Sequence, residues 1–103
     1  MVDINYFRAL ALSLNGVEEH PHFDMPSFRI KKKIFATYHP RTNHAMLRLS
    51  LEDQSVFCGY NGSVFFPVRG SWGAKGATFI VLKKVRKDMF KDALKAAYDY
   101  MKT

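Results

Sequence analysis

Four histidines, one cysteine and nine acids are the groups in this 103-residue chain best placed to make or break bonds. Their spacing argues against it. His20 and His22 stand two apart, which in a strand puts both imidazoles on one face, as a metal site needs. No cysteine pair or carboxylate cluster completes that set, and only Glu18 or Asp24 could be recruited. Cys58 falls near the end of a predicted helix, where the dipole raises a thiol's pKa and blunts it as a nucleophile. Glu18 and Glu19 are adjacent, so a strand sends them to opposite faces, unlike a working acid/base dyad. The expectation is a protein that is not an enzyme and holds neither cofactor nor metal.

Charge is more informative. Between Met25 and Lys87 the chain carries twelve Lys or Arg and two acids, Glu52 and Asp53. Residues 1–24 hold one base against four acids, and residues 88–103 hold three of each. Like charge gathered in this way repels itself unless an anionic partner compensates it. Lys31, Lys32 and Lys33 occupy a predicted hairpin tip, with Arg29 on the outward face just before it. Turn lysines often only solubilise or protect an edge. Here the absence of acids around them favours a phosphate backbone. Arg41, Arg48, Arg69, Lys75, Lys83, Lys84, Arg86 and Lys87 add to the same excess.

Gly70-Ser71-Trp72-Gly73-Ala74-Lys75-Gly76 is the least ordinary stretch. Three glycines at intervals of three allow positive φ and close backbone approach. The spacing matches neither the dinucleotide fingerprint nor the phosphate loop, and a strand follows where both need a helix. Gly73 to Gly76 spells GxxG, an RNA clamp, but that clamp joins two helices. Lys75 to Leu82 echoes an RNA-binding strand motif, with Ala77 and Leu82 where stacking rings belong, so that module is rejected. The simplest reading is an irregular loop that buries Trp72; stacking by Trp72 beside Lys75 is the alternative. The candidate nucleic-acid-binding residues are Arg29, Lys31, Lys32, Lys33, Arg69, Lys75 and Trp72.

These residues need elements to place them. Ile4, Phe7, Leu10, Ala11 and Leu14 recur at helical spacing behind an Asp3 cap, and Asn15-Gly16 ends the helix. The prolines at 21 and 26 make the next segment extended. Ser27–Lys31, Ile34–His39 and Ala45–Leu49 alternate as half-buried strands joined by tight turns. Ser50-Leu51-Glu52-Asp53 opens a short second helix ending near Cys58. Strands follow at 64–68 and 78–82. Asp88 then caps a last helix with an apolar stripe of Met89, Phe90, Ala93, Leu94, Ala97 and Met101, backed by a Lys95–Asp99 pair. The predicted fold is α+β: a two-layer domain, 1–103, with an antiparallel sheet and helices on one face, in the order α, three or four strands, α, two strands, α. A lone cysteine and no apolar run of membrane length predict a cytoplasmic protein without a membrane partner.

Read in order, Leu-Asn-Gly-Val-Glu-Glu-His-Pro-His-Phe (14–23), Pro-Ser-Phe-Arg-Ile (26–30), Lys-Ile-Phe-Ala-Thr (33–37), Phe-Phe-Pro-Val (65–68) and Trp-Gly-Ala-Lys-Gly (72–76) resemble the MmcQ/YjbR family of small bacterial proteins. The resemblance implies a "double wing" α+β domain. Members are commonly labelled DNA-binding through structural analogy, and no ligand residues carry over. The expected partner is double-stranded DNA, gripped with weak sequence preference by a basic strand-and-turn surface. The rival reading is a protein-interaction or chaperone-like adaptor, often a homodimer in such two-layer folds, that binds an acidic partner through its sheet face or an apolar patch near Phe65 and Phe66.

Overall fold

The computed structural model describes residues 1–103. Helix α1 spans Ile4–Leu12, and strands β1 (Glu18–His22), β2 (Met25–Ile30), β3 (Lys33–His39) and β4 (His44–Arg48) follow as a meander. Then come α2 (Leu51–Tyr60), β5 (Phe65–Pro67), α3 (Ser71–Ala74), β6 (Ala77–Val81) and α4 (Lys87–Lys102). The six strands form one antiparallel sheet in the order β1-β2-β3-β4-β6-β5. The α+β class and the one-sided helical layer match the sequence expectation.

Alternation decides the layering. Phe28 and Ile30 of β2, Phe35 and Ala36 of β3, Ala45 and Leu47 of β4, Ile80 of β6 and Phe65 of β5 are buried. A register shift at Phe28/Arg29 lets neighbouring Phe35 and Ala36 both be buried. Phe90, Ala93, Leu94, Ala97 and Tyr98 of α4 and Phe7 and Ala11 of α1 complete this core. Phe7 sits between Phe28 and Phe90, 5.1 Å from each ring centroid. Phe35 meets Tyr98 at 5.8 Å.

Caps set two helix starts as predicted. Asp3 accepts from the Tyr6 backbone N–H at 2.8 Å, and the Ser50 hydroxyl accepts from that of Asp53 at 3.1 Å. Residues 18–22, expected to be extended, form the fourth strand before α2 and pair at the sheet edge. Two elements differ from expectation. The glycine-rich stretch contains a one-turn helix. The last helix is capped at Arg86, and Asp88 lies within its first turn, where it accepts from Arg86 and from the Met89 N–H.

Both sheet edges carry a proline. Pro21 of β1 lies opposite Pro26, so neither can donate to the other and the Pro21 nitrogen faces outward. In β5, Val68 donates to Ala77 and Val81 donates to Val64, which turns the Pro67 nitrogen outward too. Neither edge can complete a ladder with a further strand.

Truncating the central ring should be costly. Phe7→Ala is expected to lose about 3–5 kcal/mol of stability, measured by urea unfolding.

Candidate nucleic-acid interface

Strand directions place the predicted residues. β2 rises to the Lys31-Lys32 turn, β4 rises to Arg48, and β5 rises toward Arg69, while β6 descends from Ala77. Arg29, Lys31, Lys32, Lys33, Arg48, Arg69, Trp72 and Lys75 therefore lie at one end of the sheet, here the upper end. Arg41, Lys83, Lys84, Arg86 and Lys87 fall at the lower end. Arg29, Lys31, Lys32, Arg69 and Lys75 take part in none of the ion pairs, which involve Arg8, His20, Arg86, Lys95 and Lys102. Lys33 departs from this group. It pairs in register with Ile30, and its Nζ lies 3.5 Å from the Thr103 carbonyl, at the end of the helical layer.

Acids are few but present at this end. Glu18 faces Arg29 across β1 and β2, and its carboxylate takes His20 Nε2 at 2.9 Å. Glu52 and Asp53 open α2 on the helical side.

Lys31 and Lys32 have φ of 51° and 67°, both left-handed. A two-residue hairpin loop wants that conformation, and Asn-Gly supplies it most cheaply. Two lysines there carry backbone strain that solubility alone does not require, since flanking positions would serve as well.

Trp72 is 62% exposed, which overturns the expectation that its loop buries it. The glycines explain why. A Cβ on Gly73 would stand 1.7 Å from the Val68 oxygen, and one on Gly76 would stand 1.9 Å from that of Leu49. Both are close-approach sites, and the Gln54 amide ties them down by donating to the carbonyls of Gly73 (2.9 Å) and Ala77 (3.2 Å). The short helix is thus held by its backbone, and its indole is left over the uncovered sheet face. There the Arg48 guanidinium lies 5.8 Å from the ring centroid.

The sheet face was expected only as an adaptor's docking surface, and Phe65 of the alternative apolar patch is buried. His22, Met25, Ile34, Thr37, His39, Met46, Arg48, Ala77 and Phe79, with Val68 and Trp72, line a groove of about 310 Å³. The register places His20 and His44 on the same face, so all four histidines share it. Phe79 lies 5.3 Å from His39, 5.6 Å from His44 and 5.9 Å from Phe66. No three metal-ligating side chains come together. The signal was present in the sequence: these residues occupy the strand positions alternating with the buried set. Burial, and then the neighbouring His44 charge, hold His39 below its usual pKa. Burial also pushes the Cys58 thiol up.

A family model described as YjbR matches residues 12–100. The chain belongs to the YjbR family. The YjbR architecture is also that of a crystal structure of a Deinococcus radiodurans protein with a domain described as DUF419. The two superpose with a TM-score of 0.82 at 16% identity, covering 95% of this chain and 77% of that one. At that identity the likeness concerns the fold. No curated protein matches the chain. No helix is long and apolar enough to cross a membrane.

Two outcomes follow from this YjbR site. Replacing Lys31 with Asn and Lys32 with Gly should stabilise the protein by about 1–2 kcal/mol in urea unfolding, by relieving left-handed strain. His39 stays neutral in the fold when the unfolded chain already binds a proton, so the unfolded state takes up more protons below about pH 6.5. Stability is therefore full above that pH and falls as pH drops through it. Melting temperatures between pH 7.5 and 5.5 should show the decline, and His39→Gln should reduce it.

Proposed function

We propose that this YjbR protein binds DNA, through phosphate contacts made by its upper end. What supports the reading is that Arg29, Lys31, Lys32, Arg69 and Lys75, drawn from separate segments, gather there without carboxylate partners in any ion pair. Free cations on a shared rim attract a polyanion and release its counterions. Backbone contacts of this kind position a duplex and carry little sequence information. The role requires no bond chemistry, cofactor or metal. A free thiol at Cys58 suits a cytosolic setting for it.

A second reading has its own support. The groove beneath Trp72 is apolar enough to receive a protein, either an adaptor's client or a second copy of this chain. Light scattering across a concentration series would reveal self-association.

With five phosphates neutralised, log K for a duplex should fall against log salt with a slope of about −4 to −5. In fluorescence anisotropy, Lys31→Glu with Lys32→Glu should weaken binding and flatten that slope by about 2. Lys83→Glu with Lys84→Glu, at the lower end, carries the same change in net charge and should weaken it less. Equal losses from both pairs would mean that overall charge, not the upper end, governs binding.

A further inference from the structure

We infer that the uncovered sheet face takes an unpaired base, so that the partner is single-stranded or locally opened nucleic acid. This deepens the proposed function and rests on it. Three observations carry the step.

The first is chemical. Beside the cationic rim lies a groove floored by Phe79, Met46 and Thr37, with Trp72 at its upper margin and His39 toward the other end. A duplex presents phosphates and sugars to a surface of this breadth, and its base faces are consumed in stacking. Phosphates alone would leave the groove's apolar floor unmatched. An unstacked base has a flat, weakly polar surface that such a floor accepts, while its own phosphate stays at the rim.

The second is the state of two guanidinium groups. Nε of Arg29 and Nε of Arg48 are buried without a hydrogen-bond acceptor, the only side-chain atoms of the molecule in that condition. Orphaned donors of this kind are costly, and they call for an acceptor. Both arginines project from the uncovered face near its upper end, two strands or about 10 Å apart. The Arg48 guanidinium also lies over the Trp72 ring, 5.8 Å from its centroid. A phosphate lying along this rim would meet the charge of these guanidinium groups, and a small shift of either side chain would bring its Nε donor to the same oxygens.

The third concerns what the face does not offer. Pro21 and Pro67 close the two sheet edges to strand addition, so a peptide cannot dock by extending the ladder. Rings continue across the face instead, from Phe66 through Phe79 to His44 and His39. A row of ring surfaces beside arginines, with Glu18 the lone acid among its outward strand residues, suits successive bases of one strand better than an acidic peptide.

Trp72 is the only tryptophan, so its emission reports directly on the groove. Titration with a 12-residue oligothymidine, and separately with the same strand annealed to its complement, tests the inference at one fixed salt. The single strand should bind at least about tenfold more tightly and quench Trp72, since each stacked base contributes on this scale. By anisotropy of a labelled oligothymidine, Phe79→Leu should cost roughly 5- to 150-fold and Trp72→Leu a comparable factor. Phe79→Leu should leave duplex binding nearly unchanged. Circular dichroism melts establish that each variant is folded, and Trp72→Leu, at an exposed position, remains informative should Phe79→Leu unfold. Equal affinity for single strand and duplex, insensitive to both variants, would overturn the base site and leave phosphate binding standing. Binding to neither would remove both readings. Concentration-dependent burial of Trp72 without DNA would assign the groove to a second copy of the chain and likewise overturn the inference.

Discussion

The contact of Phe7 with Phe28 and Phe90 is the joint on which the molecule depends. It brings the first helix, the second strand and the last helix to one point, from positions separated by most of the chain. Once that aromatic trio forms, the apolar stripes of α1 and α4 are committed to the same side of the sheet. The opposite side is left without a layer. Its mixture of methionine, aromatic, histidine and arginine side chains follows from that asymmetry, because residues there meet water or a partner rather than a helix.

Most of this architecture is legible in the amino-acid sequence. Asp3 and Ser50 announced their helices through their side-chain oxygens, and the alternation of Phe28 and Ile30 with Arg29 set the inner face of β2. Segments with weaker local signals were harder. Residues 18–22 read as extended but not as paired, since Pro21 argues against a strand unless its nitrogen faces outward. The turn of helix at 71–74 was hidden by its glycines, whose reason is a long-range approach to Val68 and Leu49 that no local pattern encodes. For the same reason the sequence misplaced Trp72: burial was the expectation for an indole in a glycine loop, but those glycines pin the backbone and leave the ring outside.

The candidate site divides in the same way. The lysine turn was visible because a charge run needs no tertiary knowledge. That Arg69 and Lys75 join it depends on β6 pairing with β4, a non-consecutive neighbour, and Lys33 turns toward the chain's end through its register with Ile30. The face beneath Trp72 depends on register across five strands, and its members are scattered from His22 to Phe79. Charge and ring surface thus meet along one margin for independent reasons: one from composition, the other from layering.

The prolines at the two sheet borders have a consequence for how copies of the molecule tolerate one another. At high local density, bare strand borders anneal into fibres. With a pyrrolidine ring at each border, neighbours can crowd side by side without annealing.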